Sequence, residues 1–319
     1  MKIIMMGTGG YALPTFGALY ETGHPIVALF TRPETAPRSR QRTPPNCMRQ
    51  LAVQQGTPVF DPPDVNAPTA QQVLRSLAPD LLIVCDYGQI LAAETLGLAR
   101  HGGFNLHASL LPKYRGAAPI NWAIYHGETQ TGNTVIHMTP QIDGGPWVAQ
   151  ETVAIDPDET AADLELRLAD LGARLVVTAI GQLVAGTLVK IPQDKGQVTR
   201  APKLNKSDGR VDWTRSARQI RNQVRAMQPW PKTYTDWLRT DRAPLRLILN
   251  NVAVTGQQTE RPAGTIVVAE GDDLLVATGD GLLAIRQIQP AGKRLMACRD
   301  FLRGYPLRPG DRLAATAAA

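Results

Sequence analysis

The sequence predicts an α/β protein: a doubly wound, mostly parallel sheet covered by helices, followed by a small β-barrel. Three observations carry this reading. Short apolar strands alternate with helical patterns through roughly the first 190 residues. β-branched stretches separated by Gly and Asp turns fill the last third. Charge divides near the same place: residues 1–200 carry 15 Lys and Arg against 17 Asp and Glu, and residues 201–319 carry 19 against 11.

At 319 residues the chain is long enough for about two domains. Its 43% hydrophobic and 19% charged residues describe an ordinary globular protein and exclude long-range disorder. No apolar run approaches the ~20 residues of a membrane span. Met1 and Lys2 lead directly into Ile3, Ile4, Met5 and Met6, with no secretory h-region, so a cytoplasmic location without a membrane partner is expected. Cys47, Cys85 and Cys298 lie too far apart for a disulfide framework or a paired-cysteine zinc site, and no metal is expected. The basic C-terminal third suits an acidic macromolecule, most simply nucleic acid. A basic surface that only aids solubility is the alternative.

The elements follow in order. Strands are expected over 3–6, 26–30, 57–60, 81–85, 103–107 and 134–138, and helices over 13–22, 47–55, 69–77 and 119–125. Pro14 is tolerated in a first helical turn. A longer helix closes the domain: Thr160 can cap it with Asp163 reaching back, and Leu164, Leu168, Leu171 and Leu175 recur at helical spacing. The first domain is expected over 1–190, a linker over 191–202, where Gln, Asp, Lys, Gly and two prolines gather, and the second domain over 203–319. That domain should hold a helix over 215–227 and strands over 245–249, 264–268, 274–278 and 282–288, with Trp213 and Trp230 in its core.

Gly7, Thr8, Gly9, Gly10, Tyr11 and Ala12 form a G-x-G-x-x-A pattern between a strand and a helix. The ribose-binding acid expected after the second strand is absent; Thr31 and Arg32 stand there. An Arg suits a 2′-phosphate, which keeps an NADP-dependent oxidoreductase open beside a tight turn that binds nothing.

The densest constellation lies mid-chain. Asn105 and His107 are two apart at the end of a strand and point the same way, at the carboxyl edge where open α/β sheets place ligands. A later strand leads through a turn to Asp143, Gly144 and Gly145. Amide, imidazole and carboxylate together suit acyl transfer: an oxyanion donor, a proton shuttle, and a group that orients the shuttle.

The stretch from Asn105 through His107, Ser109, Leu110, Leu111, Pro112, Lys113, Tyr114, Arg115 and Gly116 to Ile120 resembles the signature of the 10-formyltetrahydrofolate-dependent formyltransferases. Met6, Gly7 and Thr8, the run Tyr87, Gly88, Gln89, Ile90 and Leu91, and Asp143 fall where that family has counterparts. Lys203 to Lys206, Val211 to Trp213 and Arg225 to Pro231 are similar to the second domain of its tRNA-directed branch, so the resemblance covers nearly the whole chain. It implies a Rossmann-like sheet that binds no dinucleotide, followed by an OB-like barrel. The implied reaction moves a formyl group from 10-formyltetrahydrofolate to the α-amino group of methionine on initiator methionyl-tRNA, with Asn105, His107 and Asp143 as the catalytic trio. Ser109, Leu110, Leu111 and Pro112 would contact the folate, and the loop with Tyr87, Gly88 and Ile90 would line the pterin side. A monomer is expected. Three places depart from the family pattern: Gly9 and Gly10 where Pro is common, Asp86 where small apolar residues are frequent, and Gly144 where Thr is usual.

Two basic elements accompany this resemblance. The loop over 31–45 carries Arg32, Arg38, Arg40 and Arg42 against Glu34, in the place where the tRNA-directed branch meets the acceptor arm. The second-domain helix sets Arg215, Arg218, Arg221 and Arg225 at helical spacing, and Arg221 and Arg225 are expected to touch tRNA phosphates. The rival readings are a formyltransferase acting on an amino sugar nucleotide, a formyltetrahydrofolate hydrolase, the NADP oxidoreductase, and a tRNA-binding protein without catalysis.

Overall fold

The computed structural model describes residues 1–33, 46–240 and 242–314. The chain runs β1 (Ile3–Gly7), α1 (Leu13–Tyr20), β2 (Ile26–Phe30), α2 (Cys47–Gln54), β3 (Val59–Phe60), α3 (Pro68–Leu77) and β4 (Leu81–Cys85). There follow α4 (Ala93–Leu96), β5 (Gly103–His107), β6 (Arg115–Gly116), α5 (Pro119–His126), β7 (Gln130–His137), β8 (Trp147–Ala154), α6 (Ala161–Ala185) and β9 (Arg200–Ala201). The remainder is α7 (Ala217–Ala226), β10 (Thr233–Arg239), β11 (Arg242–Val254), β12 (Ile266–Glu270), β13 (Asp273–Ala277), β14 (Leu282–Pro290), β15 (Met296–Ala297), α8 (Cys298–Gly304) and β16 (Arg312–Ala314). These elements form two compact units. One holds Met1–Pro119, Gln130–Ala154 and Leu164–Pro202, and the other holds Ile120–Thr129, Ile155–Asp163 and Lys203–Ala319.

The first unit is built on a seven-stranded sheet of order β3-β2-β1-β4-β5-β7-β8. Strands β1 to β5 are parallel, and β7 and β8 add as antiparallel neighbours. Every residue of β1 and β4 is buried, as parallel strands covered on both faces require, which is why both read as unbroken apolar runs. The chain lays β1, β2 and β3 to one side, then returns to place β4 on the other. The strand order therefore reverses between β1 and β4, and the crevice at their carboxyl ends is where such sheets receive ligands. Helix starts follow local chemistry: the Asn46 side chain accepts from the N–H groups of Met48 and Arg49, and Pro68 occupies the first turn of α3.

Three features of this unit differ from the sequence reading. Strand β8 escaped it, because Trp147–Ala154 is an edge strand of mostly half-buried, mixed residues with no clean alternation. The segment read as a linker is bound into the unit: Ile191 exchanges backbone hydrogen bonds with Trp147 at 2.9 and 3.0 Å, and β9 pairs in parallel with β6. Helix α6 is by length and composition apolar enough to pass for a membrane span, although Asp170 and Arg174 interrupt its apolar run in the sequence. Leu168, Ala169, Ala173, Val176 and Ile180 bury one face of it, and Asn133 on β7 donates to the Leu168 carbonyl at 2.7 Å.

The second unit is an antiparallel sheet of order β12-β13-β14-β11-β10-β16. It curls until its ends meet: Leu313 donates to the Gly264 carbonyl and Ile266 to the Asp311 carbonyl at 2.8 and 2.9 Å. Val211, Trp213, Ile220, Val224, Trp237, Leu249, Ile285 and Phe301 fill the core. Helix α7 starts at a capping box, with Ser216 and Gln219 each accepting from the other's backbone N–H. Trp213 is core as expected, and its indole donates to Thr235 Oγ1 at 3.0 Å. Trp230 is 48% exposed rather than buried, because it stands between Pro229 and Pro231 in the turn that leaves α7. Strand β10 and helix α8 were not foreseen.

Candidate active site

Asn105 and His107 leave β5 on one face, and β7 crosses beside them in antiparallel register, His107 opposite Thr134. The turn from β7 to β8 brings Asp143 to the pair. His107 Nδ1 stands 3.7 Å from Asp143 Oδ1, and Asn105 Nδ2 lies 3.5 Å from the same oxygen. The other carboxylate oxygen accepts the Gly116 N–H at 2.8 Å. His107 Nε2 meets the Tyr114 carbonyl at 2.9 Å, so the ring is held between a backbone oxygen and a carboxylate. His107 is 6% exposed. Folding brings these three residues together from one strand and one turn, and the structure supplies two anchors the sequence did not reveal.

The first anchor is the backbone of Tyr114 and Gly116, which touches both imidazole and carboxylate. The second is Gln193, whose Nε2 donates to the carbonyls of Asp143 and Gly145 at 2.8 and 2.7 Å. Gln193 Oε1 accepts from Arg115 at 2.7 and 3.1 Å. Asp143 needs both, because it holds a left-handed φ of 48°, a strained conformation that its neighbours must stabilise. Gly145 admits no side chain, since a Cβ there would fall on the His137 carbonyl oxygen.

The segment Ser109 to Pro112 is pinned from below. Thr134 Oγ1 donates to the Ser109 carbonyl at 2.6 Å and accepts the Leu111 N–H at 3.1 Å, while Gln150 Nε2 reaches the Leu111 carbonyl at 3.0 Å. Ser109 is fully buried and Leu111 is 3% exposed; Leu110 and Pro112 are half-buried. On the other flank, Tyr87 is 2% exposed, with its hydroxyl unpaired and its pKa raised chiefly by burial. Gly88 takes a φ of 74°, and the Arg32 guanidinium occupies the space a side chain there would need. Ile90 is 61% exposed, and Ile142, beside Asp143, is 57% exposed. Neither exposed aliphatic belongs to a core, which suits a rim facing a ligand. Among the described residues, no group of three His, Cys, Asp or Glu side chains is placed to hold a metal ion.

Comparison with known proteins is decisive on the family. Residues 1–180 match the formyl transferase family and residues 203–306 match its C-terminal domain. A methionyl-tRNA formyltransferase of Rhodopirellula baltica is 42% identical, covering 99% of this chain and 97% of its own length. That of Geobacter sulfurreducens is 40% identical, at 98% and 96%. The chain belongs to the methionyl-tRNA formyltransferase family. The fold also resembles the N-formyltransferase of Helicobacter canadensis in complex with folinic acid and dTDP-3-aminofucose (TM-score 0.66, 17% identity, 89% of this chain and 98% of that one). HypX of Aquifex aeolicus in complex with tetrahydrofolic acid shares it over 99% of this chain and 51% of its own (TM-score 0.62, 16% identity).

The basic residues expected of a methionyl-tRNA formyltransferase divide into two groups. Arg38, Arg40 and Arg42 lie outside the described residues. In the second unit, Arg221 donates to the Pro157 carbonyl at 2.6 Å and pairs with Asp158 at 2.5 Å, and Arg225 donates to the carbonyls of Asp156 and Glu159. Both border a cleft of about 740 Å³ between α7, β11 and the 155–160 segment, and Arg218 reaches it exposed. Arg215 precedes the helix and lies over the Tyr125 ring at 4.5 Å.

Proposed function

We propose that the protein takes its formyl group from 10-formyltetrahydrofolate and that Asn105, His107 and Asp143 carry out the transfer to methionine on initiator tRNA. The observation that carries the reading is the single carboxylate of Asp143, shared by the imidazole of His107 and the amide of Asn105 at the carboxyl edge of the sheet. The α-amino group of the acceptor is the nucleophile. It titrates near 7.7 to 8.0, so a useful fraction is neutral at about pH 7 without a strong base. Attack on the formyl carbon turns its carbonyl oxygen into an oxyanion, and Asn105 Nδ2 is the amide donor available to it. The amine's surplus proton must reach the departing folate nitrogen as the carbon–nitrogen bond breaks, and His107, oriented by Asp143, is the shuttle.

Ser109 to Pro112, with Tyr87, Gly88 and Ile90, form the walls proposed for the folate. The buried members shape the backbone, and Ile90 offers exposed apolar area. Arg38, Arg40 and Arg42 are proposed to meet the acceptor arm, and Arg221 and Arg225 to support a phosphate-binding face. The enzyme is proposed to work as a cytoplasmic monomer. Its domain division is proposed over 1–190 and 203–319, joined by 191–202, which backbone pairing holds against the first of them.

Incubation with charged initiator tRNA and the formyl donor, followed by mass analysis of the aminoacyl end, tests the reading. A mass increase of one formyl group on methionine is the expected result. Formylation of an amino sugar nucleotide but not of the tRNA would replace it with the sugar-directed reading.

A further inference from the structure

Gly9 and Asp86, two residues that stand apart in the sequence, meet in space. A Cβ on Gly9 would fall on Asp86 Oδ2, so the carboxylate fills the space over the glycine. Asp86 follows β4 with a left-handed φ of 48°, and its carbonyl accepts the Thr8 N–H at 3.1 Å. Gly7 pairs with Cys85, and Val84 with Asn105, so Asp86 stands at the carboxyl ends of β1 and β4, one strand from the candidate trio. This is the crevice where the strand order reverses.

The position of the carboxylate inverts the turn's chemistry. In a G-x-G-x-x-A turn the second glycine lets a phosphate approach the backbone. Here that approach is closed by an anion, which disposes of the dinucleotide reading and makes the crevice attractive to a cation. Among the described residues, no ion pair or side-chain hydrogen bond holds the Asp86 carboxylate, and the residue is exposed. The charged and titratable groups facing it are Arg32 from the end of β2, Glu165 from α6, Tyr11 after β1, and its neighbour Cys85. Arg32 is drawn aside: its Nε donates to the Tyr87 carbonyl at 3.0 Å and its guanidinium lies over Gly88. Partial desolvation raises the Asp86 carboxyl and Arg32 opposes this; Glu165 is raised by burial and by Asp86.

We propose that Asp86 is a specificity-determining residue that binds the α-ammonium group of the acceptor methionine in the β1–β4 crevice. The inference rests on the proposed function, in which the acceptor presents an amine. Most of that amine arrives protonated near pH 7, and the bound ammonium gives one proton up to water through the open crevice before the neutral amine attacks. Its ammonium offers three donors to a carboxylate that has no other partner.

The test compares two ligands that differ only at the amine, methionyl-tRNA and N-acetylmethionyl-tRNA, on the full chain and on Asp86→Asn. The substitution should weaken methionyl-tRNA about tenfold or more, the usual loss for a charged hydrogen bond, and leave N-acetylmethionyl-tRNA within about twofold. KM for the acceptor should rise while affinity for the folate donor holds. Asp86→Ala should repeat the pattern if the Asn variant folds poorly. Equal weakening of both tRNAs, or of neither, would overturn the proposal. Formylation by the unaltered chain, read by mass in the same assay, reports separately on the proposed function.

Discussion

Gln193 holds the turn that carries Asp143: one side-chain amide donates to the carbonyls of Asp143 and Gly145, and its oxygen is gripped by Arg115. A carboxylate on a residue at positive φ keeps its aim only while such contacts persist. Gln193→Ala should therefore lower kcat by about tenfold, the loss expected when two hydrogen bonds to a strained turn are removed. KM for tRNA should change less. Steady-state kinetics with a melting curve checks this; a fall in Tm with unchanged kcat would show the clamp to be structural only.

Each of Asn105→Ala, His107→Ala and Asp143→Ala should lower turnover by about 10² to 10⁴, the range for a lost oxyanion donor or proton shuttle. Folate and tRNA affinities should move less. Single-turnover formylation and separate binding assays measure both. Near-normal turnover in any two well-folded variants would sink the assignment of the trio.

The Gly9 and Asp86 contact predicts a compensating pair. Gly9→Ala alone should cost up to about 1 kcal/mol, the low end of overpacking, because what must give way is the end of the unpaired Asp86 side chain. Adding Asp86→Ala removes the obstacle and should return much of that loss. Urea unfolding of the two single variants and the double variant gives the coupling; strict additivity would contradict the contact.

The same carboxyl makes stability depend on pH. Partial desolvation in the crevice raises its folded pKa against the opposing pull of Arg32, so the folded chain holds the proton over a range where the unfolded chain, with a pKa of about 3.9, has lost it. The stabilisation is complete below the unfolded value and is lost as pH rises through the folded one. Asp86→Asn should thus be more stable than the parent at pH 7, with the advantage shrinking as pH falls toward 4. Urea midpoints across that range check the sign.

Replacing Arg38, Arg40 and Arg42 together with Ser should weaken tRNA binding and make the salt slope of log affinity shallower by about 2 to 3 units, at ~0.7 to 0.9 per phosphate. A large loss with little change of slope would instead point to stacking on unpaired bases. Arg221→Ala with Arg225→Ala should behave differently. Their guanidinium groups hold the 155–160 segment, so a lower Tm should accompany any loss of tRNA affinity. Filter binding over a salt series, with melting curves, separates the two sets.

The alternation of apolar strands and helical patterns was enough to determine a doubly wound sheet, because strands buried on both faces leave no polar position to obscure the signal. Asn105 and His107, two apart at a strand end, were legible for the same reason: the strand period places both on one face. The mid-chain signature and the C-terminal motifs point to the formyltransferases from the sequence alone. Strand β8 was not legible, since an edge strand with half-buried side chains carries a weak pattern.

What only the tertiary structure decided are contacts between residues far apart in the chain. Gln193 looked like linker and proved to be a brace for Asp143, a relation 50 positions long that no local pattern encodes. Arg221 and Arg225 read as a free cationic face, and a spacing of i, i+4 on a helix could not reveal the carboxylate and carbonyls of 156–159 that meet them. Gly9 and Asp86 looked like two separate departures from a family pattern, and folding made them one. Local periodicity sets which face a side chain takes; only the folded chain sets what stands opposite it.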